Sequence, residues 1–132
     1  MNKISFKKLY ALLILALISF SLQSCLVSRC KRPQIVGYIY DADSKQPIRD
    51  CKVGEVFSQN NGYFSLDEKR YLQFTFWGFE APVLSVNETV EKEYYESQKI
   101  QFINKFGGGA RKGALHNADT LFLKKISSNK IK

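Results

Sequence analysis

The stretch Gln34-Ile35-Val36-Gly37-Tyr38-Ile39-Tyr40-Asp41 decides the fold, together with the turn around Gln46-Pro47-Ile48 and the segment Asn60-Asn61-Gly62-Tyr63-Phe64-Ser65-Leu66. Ile35, Gly37 and Ile39 alternate with Val36, Tyr38 and Tyr40, the period of two that a strand requires. Asp41 to Pro47 is rich in turn formers, so the chain reverses there. Cys51 to Phe57 reads as a second strand, and Ser58 to Gly62 as a turn in which Asn61 or Gly62 can take positive φ. Tyr63 to Leu66 starts a third strand. Tyr71 to Trp77 follows, with Leu72, Phe74 and Phe76 alternating, and Pro82 to Val86 resumes an extended pattern. Short strands at this spacing predict a mainly all-β chain, folded as a small antiparallel β-sandwich.

Working outward, 132 residues support one domain, and an aromatic content of 14% with only 3 Pro excludes a disordered chain. The formal charge is +8, from 20 Lys and Arg against 12 Asp and Glu. Lys3, Lys7 and Lys8 lie before residue 25 and every acid lies after it, so the remainder carries 17 basic and 12 acidic residues, or +5. That excess suits anionic surfaces such as phospholipid or glycan phosphates, and equally serves solubility. Basic helices, zinc spacings and aromatic RNA-binding motifs are missing from the sequence, so nucleic acid is not an expected partner.

Upstream, Lys3, Lys7 and Lys8 precede an apolar run from Leu9 to Phe20. A transmembrane helix needs about 20 apolar residues, and this run ends earlier, as a secretory signal helix does. Next comes Leu22-Gln23-Ser24-Cys25, which resembles the lipobox of bacterial lipoproteins. The resemblance implies cleavage after residue 24 and lipidation of Cys25 by a diacylglyceryl thioether and fatty acyl chains such as palmitate. Chains worth about 0.8 kcal/mol per buried CH₂ then hold the domain at a bilayer. Leu26-Val27-Ser28-Arg29 carry no acid, which by the same resemblance implies the periplasmic face of the outer membrane. The expected organisation is a signal peptide over 1–24, a lipidated tether over 25–33, the sandwich over 34–126 and a disordered tail over 127–132.

The sandwich itself resembles the carboxypeptidase regulatory-like domain, a prealbumin-like fold. The resemblance rests on Gly37-x-Ile39-x-Asp41, Gln46-Pro47-Ile48, Cys51-x-Val53, Ser58-x-x-x-Gly62-Tyr63-Phe64 and Gly78-Phe79, in that order over about half the chain. The segment from Val53 to Ser58 is shorter than the family's. Such domains are usually non-catalytic appendages, and here each marked residue has a structural reason: Gly37 for close packing, Pro47 and Gly62 for turns, Phe64 as a core plug. The family's enzymatic partner would need a His-x-x-Glu zinc pair, whereas the single histidine, His116, is followed by Asn117. No catalytic residue, metal ligand or cofactor is therefore expected. The expected partners are the membrane and an envelope protein or glycan.

Three further features bear on function. With Cys25 lipidated, Cys30 and Cys51 remain, able to form a disulfide in an oxidising compartment or to sit apart, Cys51 as a small core residue. Asn87 to Glu96 reads as a short helix near residues 88–97, with Asn87 as N-cap and Val90 and Tyr94 on one face. Gly107-Gly108-Gly109 followed by Arg111 and Lys112 has the chemistry of an anion-binding nest, or of a mobile connecting loop. Strands are expected over Lys99 to Asn104 and Thr120 to Ile126. Candidate binding surfaces are the segment Asn87 to Asn117 and the exposed aromatics Tyr38, Tyr40 and Trp77.

Overall fold

The computed structural model describes residues 6–21, 25–75 and 80–127. Among them are one helix, α1 (Phe6–Ser21), and nine strands: β1 (Cys25–Arg32), β2 (Gln34–Asp41), β3 (Lys52–Val53), β4 (Val56–Phe57), β5 (Tyr63–Leu66), β6 (Lys69–Thr75), β7 (Leu84–Glu91), β8 (Gln98–Asn104) and β9 (Leu115–Leu123). The chain divides into two compact units. The smaller contains α1, the first half of β1 (through Ser28) and the part of β6 from Leu72 onward. The larger contains 29–71 and the chain from Ala81.

The larger unit is an all-β, sandwich-like fold. One sheet has the order β5–β2–β9 and the other β4–β3–β7–β8. Alternation along β2 sends Ile35, Gly37, Ile39 and Asp41 inward, as the period of two requires. They meet Phe64 and Leu66 from β5 and Leu123 from β9, and across the interior Val53, Leu84, Val86, Val90 and Ile100 from the other sheet. Phe64, Ile35, Ile39 and Leu66 are among the largest fully buried side chains, so the stretch that identifies the fold also fills its centre.

Gly37 shows why that stretch tolerates no substitute. A β-carbon there would lie 2.8 Å from the Asp119 carbonyl oxygen and 3.0 Å from the Phe64 ring. The Asp119 carbonyl comes close because β9 bulges between Asn117 and Thr120, with Asp119 at φ 56° and its amide donating to Asn117 Oδ1 (3.0 Å). Gly62, at φ 79°, brings its backbone against Ile39, whose amide donates to the Gly62 carbonyl (2.9 Å). Ser58 closes the intervening loop: its hydroxyl donates to the Ile48 carbonyl (2.7 Å) and accepts from the Cys51 amide (3.0 Å).

The structure corrects several expectations. The short helix near 88–97 is absent, and Asn87 to Glu91 instead belongs to β7, paired with β8 from Leu84 to Val90. Val86, Thr89 and Val90 are β-branched, and Val86 and Val90 fall on the buried face of a period-two pattern, which overrides the coincidental helical spacing of Val90 and Tyr94. Tyr94 sits at φ 67° in the following turn. The single strand expected from Cys51 to Phe57 is a clipped hairpin of β3 and β4 turning at Gly54-Glu55. The sheet is not wholly antiparallel, since the closing strand, β9, begins at Leu115 and runs parallel to β2. The expected tether over 25–33 is a strand, β1, hydrogen-bonded to β6, with Arg29, Cys30 and Arg32 buried. The expected disordered tail lies, beyond Ser127, outside the described residues.

Candidate functional site

The same alternation that fills the core puts Tyr38 and Tyr40 on the outer face of β5–β2–β9. Register does the rest. Tyr38 stands between Tyr63 on β5 and Thr120 on β9, and Tyr40 stands beside Phe122. The Tyr38 and Tyr63 rings are 5.4 Å apart and tilted by 60°, and those of Tyr40 and Phe122 are 6.3 Å apart and tilted by 52°. Lys45, at φ 56° in the turn after β2, lies with Nζ 4.6 Å above the Phe122 ring. Tyr38, Tyr40, Lys45, Thr120 and Phe122 line an open groove of about 450 Å³. Aromatic cross-strand pairs stabilise a sheet by themselves, each by about 0.2–1 kcal/mol. Here Tyr38 and Phe122 are also exposed. Apolar ring faces beside phenolic and threonine hydroxyls and an ammonium can stack on a flat ligand and hydrogen-bond its rim.

The glycine segment has a different role from a nest. Gly107–Gly109 form a 3₁₀ turn in which Gly107 and Gly108 are buried. The Gly108 amide donates to the Pro82 carbonyl, the Gly109 amide to Phe106 and the Ala110 amide to Gly107, each at 3.0 Å. These donors are used inside the fold, and the glycines serve close packing against Leu84 and Pro82. Arg111 and Lys112 are exposed beyond the turn. Cys30 and Cys51 are both free and buried, in line with the second of the two alternatives, in which they sit apart. Their settings differ: Cys30 lies near Arg70 and Glu68, while the Cys51 thiol donates to the Glu91 carbonyl (3.3 Å). Burial pushes the Cys51 thiol up to about 11, with Lys92 opposing, and raises that of Cys30. Cys25 opens β1, whereas Leu22 to Ser24 and Trp77 lie outside the described residues. His116 stacks on Phe102 at 3.9 Å between the sheets' edges. Among the described residues no three His, Cys, Asp or Glu side chains gather as a metal set.

Comparison with protein-family models, with curated proteins and with solved structures found no match for this chain.

Two charged networks escaped the sequence reading. Asp41, buried at the end of β2, accepts from the amides of Asp43 (2.9 Å) and Ser44 (2.8 Å), from the Tyr95 hydroxyl (2.8 Å), and pairs with Lys125 (3.2 Å). The Ser44 amide first, then the Tyr95 hydroxyl, hold its carboxyl well below the usual range. Burial and the Asp41 hydrogen bond raise Tyr95. Arg32, 3% exposed, forms a fork with Glu55, donates to Glu88 (2.7 Å) and gives Nε and Nη2 to the Asp67 carbonyl (3.2 and 2.7 Å). The Arg32 hydrogen bond holds Glu55 down to about 2 against the opposing effect of desolvation, with Lys69 helping at 3.1 Å. Every donor of the guanidinium is used, and no described buried side-chain polar atom lacks a partner. The Arg32 network ties β1 to β7 and to the β3–β4 turn, and the Asp41 network ties the end of β2 to Tyr95 beyond β7 and Lys125 beyond β9. A wider groove of about 630 Å³ is lined by Glu91, Glu93, Glu96, Lys52 and Lys92 among others. Its Lys92 ammonium is already bound to the Arg49 and Asp50 carbonyls, so mixed, solvated charges rather than a poised pair face that groove.

Proposed function

We propose that the protein is a non-enzymatic lipoprotein of a bacterial envelope, anchored through Cys25 at the periplasmic face of the outer membrane, whose sandwich binds glycan. The observation that carries the binding part is the open aromatic groove at Tyr38, Tyr40 and Phe122, with Thr120 and Lys45 at its rim. Sugar rings present flat C–H faces and many hydroxyls, which match ring faces flanked by hydroxyl and ammonium donors. The residue excess of +5 after Ser24 adds attraction to phosphorylated or acidic glycans. The anchor is supported by Lys3, Lys7 and Lys8, the apolar run and Leu22-Gln23-Ser24-Cys25. The resemblance to carboxypeptidase regulatory-like domains is supported by the packing roles of Gly37, Gly62 and Phe64, and it favours a scaffold over an enzyme.

Co-sedimentation with purified peptidoglycan sacculi and binding of lipopolysaccharide-derived polysaccharide test the ligand. Tyr40→Ala combined with Phe122→Ala is expected to weaken binding by about tenfold or more, the equivalent of about 1.4 kcal/mol. Unchanged binding sinks the aromatic-face reading. A single stable protein captured by crosslinking in intact cells, without glycan binding, replaces it with an accessory subunit of a transporter or peptidase. Cys25→Ala tests the anchor, since protein that still fractionates with membranes refutes it.

A further inference from the structure

Charge and apolarity separate along both strands of the β1–β6 ribbon. In β1, Cys25-Leu26-Val27-Ser28 is followed by Arg29-Cys30-Lys31-Arg32, and in β6, Lys69-Arg70-Tyr71 is followed by Leu72-Gln73-Phe74-Thr75. The boundary between the two compact units falls at the same places, after Ser28 and before Leu72. The smaller unit thus takes the apolar half of each strand, and the basic halves belong to the larger one. In the apolar halves the large side chains are open: Leu26 is 54% exposed, Leu72 66% and Phe74 68%. Leu72 and Phe74 are two apart in a strand and so share a face. Lys31 and Lys69 on the basic halves are also exposed.

Other apolar side chains of the chain are as open, Ile103 among them, but those of the ribbon begin one residue after the cysteine that the lipoprotein reading acylates and are followed directly by basic residues. An apolar end followed by lysines is the arrangement that lies in a bilayer interface, with side chains among the upper acyl carbons and ammonium groups at the phosphates. No described helix is long and apolar enough to cross a membrane. Helix α1 lies before the cleavage that the lipoprotein reading requires, so the ribbon is what remains beside the lipid.

We propose that the apolar half of the β1–β6 ribbon, through Leu26, Leu72 and Phe74, inserts into the headgroup–acyl boundary of a phospholipid bilayer and seats the protein on the membrane beside its lipid. This rests on the Cys25 anchor.

The test uses the full chain, expressed with its processing and reconstituted into phosphatidylethanolamine–phosphatidylglycerol vesicles. The single native tryptophan, Trp77, is changed to Phe, and one reporter is introduced as Leu72→Trp, Phe74→Trp or, as a control on the sandwich, Tyr94→Trp. Mass spectrometry reads acylation of Cys25, flotation reads anchoring, and acyl chains brominated near the headgroup read depth. Acylated, floating protein whose emission at position 72 or 74 shifts to shorter wavelength and is quenched by bromine, with position 94 unquenched, supports the proposal. Acylated, floating protein with neither position quenched overturns the seating and leaves the anchor standing. Protein with no acyl mass on Cys25 overturns the anchor and the seating with it.

Discussion

Arg32 and Asp41 stand at opposite ends of the strand that organises the sandwich, one just before β2 and the other at its last residue. Both are buried charges with complete partner sets. They solve the problem differently. Arg32 is a cation on β1 whose charge is matched by two carboxylates, Glu55 from the β3–β4 turn and Glu88 from β7. Asp41 is an anion held mainly by its own turn, through the amides of Asp43 and Ser44, with Tyr95 and Lys125 added from afar. One network joins β1 to the β4–β3–β7–β8 sheet through formal charge, and the other finishes a local turn and then ties the chain's end to it. Breaking them should therefore have unequal effects.

The largest is expected for Arg32→Ala, which leaves two carboxylates facing each other with a cavity between them. Removing one partner of a buried charged set typically costs about 3 kcal/mol or more. Urea denaturation should show a loss of unfolding free energy of that size, with Arg32→Lys only partly restoring it because an ammonium cannot reproduce the fork. A shift within the noise would show that the network is ornamental and the two ends alike.

Asp41→Asn should cost less, since the amide oxygen still accepts from the Asp43 and Ser44 amides while the ion pair with Lys125 is lost. The damage should be local. Glu96 donates its amide to Lys124 and Ile126 donates to Tyr94, and these two amides are predicted to exchange hydrogen faster while the centre of β2 stays protected. Loss of protection throughout β2 would make this end as global as the Arg32 end.

Acid sharpens the same contrast. Glu55 falls from an ordinary 4.5 to about 2 and Asp41 lies below its ordinary 3.8. Both are depressed in the folded state, so their stabilisation is complete above the unfolded values and is lost as pH drops through the window below about 4.5. Because Glu55 is partly exposed, screening reduces its share. Stability measured from pH 6 to pH 2 should fall, and the fall should be shallower in Arg32→Ala, whose Glu55 has lost the hydrogen bond that depresses it.

How much of this was legible depends on distance along the chain. Gly37, Pro47, Gly62 and Phe64 could be read because a strand, a turn and a plug are local patterns, and the structure gives each its place. Tyr38 and Tyr40 followed from alternation, whereas Phe122, over whose ring Lys45 lies, joined them only through the parallel pairing of β2 with β9, which a local pattern does not encode. Arg32 was hidden altogether, since its partners are 23 and 56 residues away and its own segment looked like a linker. The helix expected near residue 90 shows the converse: Val90 and Tyr94 fit a helical spacing, and pairing with β8 outweighed it.

The smallest effect concerns the buried thiols, which add a neutral counterpart to the two charged ends. Cys51 rises from 9.0 to about 11 because burial disfavours the thiolate, so its contribution is complete below pH 9 and is lost as pH climbs from 9 to 11. Stability should therefore decline gently over that alkaline window in the native chain and less in Cys51→Ala, once the general drop from the cavity is subtracted. At pH 8 iodoacetamide should leave Cys51 unmodified in the folded protein and alkylate both Cys30 and Cys51 after unfolding without reductant. Failure to alkylate the unfolded chain until reductant is added would mean that the two are joined. In that case the Arg32 end, through Cys30, and the centre of the sandwich, through Cys51, would be covalently coupled, and Arg32→Ala should then cost less than the charge argument requires.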